Sequence, residues 1–293
     1  MYDLENLEKD RLSIVRKLKS SIFFVALISI AVLIIIYKQT YDFTISIFVA
    51  GFCAISLYGI FKSNLTKNFN AKFKNQVVKT TISNINKNLV YEPNLYMSFS
   101  DFNRSGIYKY PDTYSGNDLI YGEIDGVDVK FSDVFLKEKI EFVDNRGFVH
   151  TEYRNIFSGI FFMADFHKNF SSQTYVLGNK FGYKFGNRAY MDDSKFEKVF
   201  KTYTNDQINA RYILTPKLME QILKTKELFN CPLNIAFLDY QIYIYMELNK
   251  DSFEPDIFYS LIGENSLVLR YRNEISNLIN LVKELNLNSK IWG

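Results

Sequence analysis

Two apolar runs close to the amino terminus, residues 21–37 and 43–61, contain no charged residue and are separated by only five positions, 38–42. No other feature of the chain limits its fold so tightly. At about 1.5 Å per residue the first run makes a helix of roughly 26 Å and the second a little more, close to the thickness of a bilayer's hydrocarbon core. A single all-apolar helix can lie in a soluble core, but two in tandem joined by a short turn point to a helical hairpin across a membrane. Tyr37, Tyr41 and Phe43 at the turn, with Tyr58 and Phe61 at the far end, fall where amphipathic rings settle at headgroup level. Twenty mixed-charge residues precede the first run and no small-residue pattern follows it, which argues against a cleaved leader.

The flanking charges orient the hairpin. Lys9, Arg11, Arg16, Lys17 and Lys19 precede it, and Lys62, Lys67, Lys72, Lys74, Lys79 and Lys87 follow it with no acidic residue before position 92, whereas the turn has Lys38 as its one basic residue. The excess of basic residues marks the cytoplasmic side, so both termini are expected there. The net charge of +3 is modest and its basic excess is largely juxtamembrane, which suits anionic headgroups and argues against nucleic acid. Lys62, Lys67, Lys72 and Lys74 are the expected lipid contacts. Cys53 lies in the second run and Cys231 far beyond it, so no disulfide framework is expected.

Four segments follow from the pattern. Residues 1–20 space Leu4, Leu7, Leu12, Val15 and Leu18 as a short amphipathic cytoplasmic helix, and 21–61 form the hairpin. Over 62–91, Leu65, Phe69, Phe73 and Val77 recur in fours and Val78, Ile82, Ile85 and Leu89 continue on a rotated face, a basic stalk helix whose stripe either dips into the interface or packs on protein. Residues 92–293, about two hundred positions, can bury a proper core. There, 94–115 reads as a linker or irregular segment and strands begin near Leu119. Asp125-Gly126 marks one hairpin and 144–147 another; 156–166, 174–177, 235–238 and 242–248 are further strands. Thr215-Pro216 opens a helix and another starts near Leu267. The fold class is α+β: a transmembrane hairpin, then a mixed, mainly antiparallel sheet with two principal helices.

Chemistry is sparsely signalled. His150 and His167 have no Cys or carboxylate at a ligand spacing, so no metal or cofactor is expected. Ser158-Gly159 lacks the first glycine of a nucleophile elbow, since Ile156 stands there, and the glycines at 178, 182 and 186 are separated by Phe181 and Phe185 where a phosphate cradle needs small residues. Ser46, Ala50 and Ala54, four apart, make a small-residue ridge for close helix packing, within the hairpin or between copies. The absence of ionisable side chains from both runs weighs against an ion-coupled transporter.

The segment Phe157-Ser158-Gly159-Ile160-Phe161-Phe162-Met163-Ala164-Asp165-Phe166 resembles the signature of a bacterial membrane-protein family known as domain of unknown function 3137. A second block, Phe196-Glu197, Phe200, Tyr203, Asp206, Ala210-Arg211-Tyr212, Leu214-Thr215-Pro216 and Met219, is similar to that family's pattern, as are Phe253-Glu254-Pro255 and the closing Leu285-Asn286-Leu287-Asn288. The resemblance implies the architecture and a neighbour of the LemA family, whose genes often lie beside those of members, some of which carry a mistaken galanin label. It implies no activity. Its charged members, Asp165, Glu197, Asp206, Arg211 and Glu254, are the candidate polar cluster, with Arg211 suited to clamp a carboxylate or phosphate, or else to form a buried pair that orients the strand before Thr215. Three functions follow: a non-enzymatic binding or scaffold component of a membrane complex, a membrane-tethered hydrolase using that cluster, or a structural subunit of a homo-oligomer.

Overall fold

The computed structural model describes residues 4–165, 172–179, 181–182, 185–264, 266–285 and 287. The chain forms two compact units, residues 1–81 with 254–273 and residues 82–253 with 274–293.

The first unit is built on α1 (Leu4–Thr40) and α2 (Phe43–Phe73), which pack along each other. No Pro or Gly interrupts residues 4–40, so the amphipathic opening and the first apolar run are one unbroken helix. The turn shrinks to Tyr41, at φ 53°, and Asp42, whose carboxylate caps α2 by accepting from the N–H groups of Thr44 at 2.8 Å and Ile45 at 3.1 Å. Both helices are long and apolar enough to cross a membrane, and in the most apolar stretch of each only 11% of residues are buried, so they are not core helices of a soluble domain.

Helix α2 passes into a π turn at Lys74–Val78 and then α3 (Lys79–Ile85). A π turn inserts extra chain into the helical repeat, which moves the buried stripe from Phe69, Phe73 and Val77 onto Val78 and Ile82. The helix ends six positions before the expected boundary. Asn86 Oδ1 accepts from the Asn88 N–H at 2.8 Å and turns the chain into β1 (Leu89–Glu92), making Leu89 a buried strand residue. Residues 254–273 complete the first unit. On α1, Glu8 and Arg11 form a buried ion pair at 2.7 Å; Arg11 also donates to the Ile257 carbonyl at 2.7 Å, and Glu8 accepts from the Leu261 N–H at 3.0 Å.

In the second unit, β1 is followed by α4 (Phe99–Asn103), β2 (Thr113–Ile124), β3 (Val127–Val143), β4 (Val149–Asp165), β5 (Thr174–Gly178) and β6 (Asn187–Ala189). Then come α5 (Ser194–Val199), β7 (Phe200–Thr204), α6 (Gln207–Ile213), α7 (Pro216–Phe229), β8 (Leu233–Leu238) and β9 (Gln241–Met246), and α8 (Leu267–Glu284), of which residues 267–273 belong to the first unit, closes the series. The strands form one sheet in the order β1-β2-β3-β4-β9-β8-β5-β7-β6, and every pairing is antiparallel. Asp125 and Gly126 both take positive φ, 50° and 82°, the backbone that a two-residue hairpin turn requires. Asp239 and Tyr240 do the same between β8 and β9, at 53° and 64°.

One face of the central strands buries Leu136, Phe157, Phe161, Tyr243 and Tyr245 in an aromatic core. The stretch read as linker helps to build that core. Met97, Phe102, Ile107 and Tyr108 are buried in it, and the Phe102 ring meets those of Phe161 at 5.1 Å and Tyr245 at 5.0 Å. Strands β3 and β4 also outrun their neighbours. Strand β2 pairs with β3 only as far as Lys137, and β9 reaches β4 only from Ile160, so residues 138–143 and 149–155 project as a two-stranded arm that exposes Phe142, Val143, Phe148, Val149 and Tyr153.

Candidate functional site

The polar cluster expected from the sequence is divided. Glu254 belongs to the first unit, where it pairs with Lys74 at 2.9 Å and accepts from Asn70 Nδ2. The other four belong to the second unit and serve local structure. Asp165 accepts from Gln241 Nε2 at 3.2 Å across the β4–β9 ladder. Glu197 pairs with Arg188 at 2.5 Å and accepts from the Met191 N–H at 2.8 Å. Asp206 caps α6, accepting from the N–H groups of Ile208 and Asn209 at 3.0 Å. Arg211 lies exposed on α6, a helix where a strand was expected, and donates to the Tyr190 carbonyl at 3.1 Å and to the carbonyl and side chain of Gln207 at 3.4 Å. The buried Arg211–carboxylate pair is therefore replaced by carbonyl contacts, because capping and Arg188 already engage the acids nearest in sequence.

The juxtamembrane lysines divide as well. Lys74 is buried against Glu254 and so is not a headgroup contact; Lys72 pairs with Asp10 at 2.7 Å, Lys62 lies 5.8 Å from the centre of the Phe258 ring, and Lys67 is exposed. Of the small-residue ridge, Ser46 and Ala50 are buried and Ala54 is half-buried, and Ser46 Oγ donates to the Asp42 carbonyl at 2.6 Å.

The most unusual electrostatic feature lies elsewhere in the second unit. One carboxylate oxygen from each of Asp118, Asp133 and Asp251 falls within 4.8 Å of the other two. Asp118 and Asp133 are fully buried. Ser252 donates its hydroxyl to Asp133 Oδ1 at 2.9 Å and its N–H to Oδ2 at 2.8 Å; Asp118 accepts from the Tyr91 hydroxyl, and Asp251 Oδ2 accepts from Asn117 Nδ2 at 2.8 Å. Asp251 Oδ1 and Asn117 Oδ1 are buried without a hydrogen-bond partner among the described residues. Burial, then the Asp251 charge, pushes the Asp133 carboxyl from 3.8 up to about 8, so at neutral pH it is mainly protonated. An all-oxygen set of this kind suits a proton or a hard cation such as Ca²⁺ or Mg²⁺, and not zinc, whose protein sites favour Cys and His. The sequence signal is a single charge, Asp133, inside the stretch 131–136; nothing local reveals that the bulge at Asn117 and the segment at 251 bring two more.

A cavity of about 410 Å³ lies nearby, lined by Ile160, Cys231, Glu247, Lys250, Ser252 and Leu278 among others. Burial raises the Cys231 thiol to about 11, the reverse of what an activated nucleophile needs. His150 bonds Asp144 Oδ2 at 2.9 Å at the tip of the arm, and His167 lies outside the described residues, as do Phe166 and the Asn286 and Asn288 of the family-like blocks.

This architecture, an apolar helical hairpin followed by an antiparallel α+β sheet unit, defines a class of protein and no reaction. Residues 155–287 match the family model described as Protein of unknown function (DUF3137). No curated protein matches the chain. Among solved structures, the crystal structure of the mycobacterial trehalose monomycolate transport factor A, TtfA, is similar over 73% of this chain and 96% of that chain, at 11% identity and a TM-score of 0.38, a likeness that says nothing of function.

Proposed function

We propose that the protein is a two-pass membrane protein whose sheet unit faces the cytoplasm and acts as a binding or scaffold component of a membrane complex. The observation that carries this reading is the exposure of the apolar helices. Phe23, Phe24, Phe48, Phe52 and Ile55 are each at least 60% exposed, a surface that water would penalise and hydrocarbon covers. Basic residues on both flanks of the hairpin support the cytoplasmic orientation, and Lys67 is the lysine best placed to meet anionic lipid. The alternative, a membrane-tethered hydrolase around Asp165 and Arg211, has less support, since Glu197, Asp206 and Glu254 are engaged by a salt bridge, a helix cap and Lys74. A LemA-like protein remains the partner that the family resemblance brings forward.

A reporter fused after Gly293 tests the orientation. Activity confined to the cytoplasm is expected, and activity on the far side would overturn the topology. Extraction of the chain from membranes by alkaline carbonate would overturn the spanning reading itself.

A further inference from the structure

The arm presents an open strand edge. At its turn the Asp144 N–H donates to the Phe148 carbonyl at 2.9 Å, a bond that sets the phase of the ladder. The antiparallel ladder alternates from there, so Val149, Thr151, Tyr153 and Asn155 turn their backbone N–H and C=O groups away from β3. No strand meets them, because β9 begins pairing with β4 only at Ile160. The opposite edge is less open: at the root of the arm the Lys137 carbonyl accepts from the Asp112 N–H at 2.9 Å, and the Lys139 N–H donates to Asp112 Oδ2 at 2.6 Å.

The sequence of the open edge is self-complementary. Residues 150–156 read His-Thr-Glu-Tyr-Arg-Asn-Ile, and residues 150–155 are exposed. Two copies laid antiparallel about a two-fold axis at Tyr153 place Glu152 of each opposite Arg154 of the other, in the non-hydrogen-bonded positions where opposed side chains approach most closely. Tyr153 then exchanges backbone bonds with its counterpart, and Thr151 with Asn155. A register centred on Glu152 would oppose like charges, and one centred on Thr151 would leave Arg154 without a partner acid. Among the described residues Glu152 and Arg154 form no ion pair within their own chain. An unprotected edge of this length invites another strand.

We infer that the protein associates with a second copy of itself by pairing the β4 edges of the two arms in register about Tyr153. This takes up the binding reading above and names the partner for one surface; it fails independently of membrane location, which carbonate extraction reads.

The test is cysteine cross-linking of the full chain in its membrane, with Cys53→Ser, Cys231→Ser and Tyr153→Cys. A hydrogen-bonded antiparallel pair sets Cα atoms about 5.5 Å apart, within disulfide range. A covalent dimer is expected under mild oxidation. Glu152→Arg or Arg154→Glu alone is expected to lower its yield at least fivefold, and the two together to restore it. Circular dichroism on each variant checks that these exposed positions leave the fold intact. A dimer yield no higher than that of a Glu141→Cys control on β3, or a double reversal that fails to rescue, would overturn the inference.

Discussion

Asp133 holds its proton at a pH where an ordinary carboxyl has lost it, and that proton belongs to the folded state. Between pH 4 and 8 the unfolded chain has released it while the native chain has not, so stability falls as pH rises across this window and levels off above it, by up to about 1.4 kcal/mol per pH unit. Replacing Asp133 by Asn is expected to flatten that slope, as followed by thermal unfolding at pH 5, 7 and 8.5; a slope unchanged by the substitution would show that Asp133 is ionised in the native protein. Gly159 illustrates the opposite kind of residue, one whose role is to be small. It takes φ 155°, and a Cβ there would lie 2.0 Å from the Met246 carbonyl oxygen and 2.7 Å from the Leu248 nitrogen, both backbone atoms. Gly159→Ala is therefore expected to destabilise by about 3 kcal/mol, seen as a lowered denaturation midpoint. Neither role could be read from spacing. Gly159 stood out as part of a family-like block, but the reason it must be glycine lies 87 positions away on β9.

Elements were legible where a local device defines them. Asp125-Gly126 and the alternation around it mark the β2–β3 hairpin, and Thr215-Pro216 marks α7, where Thr215 Oγ1 accepts from the Leu218 N–H at 3.3 Å. Loss of that cap in Thr215→Ala is expected to cost about 1 kcal/mol, measurable as a shift in urea midpoint with unchanged slope. Elements were missed where long-range pairing decides. Leu89 continued a helical spacing but pairs with Gly122 in the sheet, and Phe200–Thr204 carried too short an alternation to declare itself before β5 and β6 flanked it. Met97 and Phe102 sat in polar surroundings that read as linker, and their burial follows from docking on strands formed later in the chain. The candidate site suffered most. A sequence shows which acids exist, while their grouping at Asp118, Asp133 and Asp251 depends on a bulge, a strand register and a loop that converge.

At the scale of the whole chain, the boundary that composition suggests after the stalk is not where the structure divides. Residues 254–273 lie deep within the sequence of the sheet unit yet pack with the helices, through Glu254 to Lys74, Ile257 to Arg11 and Tyr271 to Phe73. A fragment trimmed to residues 92–293 would strip those partners away. It is expected to unfold at a temperature at least 10 °C below the full chain and to aggregate, whereas a fragment as stable as the full chain would show that residues 254–273 need no helical partner. The same threading bears on how the two units could be parted. The backbone crosses between the units at 81/82, 253/254 and 273/274, and the first and last of these crossings run inside α3 and α8. A protease that severs the chain near position 253 leaves the sheet covalently tied through α3, and one that severs α3 leaves residues 254–273 still clasped by Glu8, Arg11 and Lys74. A single cut therefore does not part the two units unless the contacts of residues 254–273 with Glu8, Arg11 and Lys74 also open.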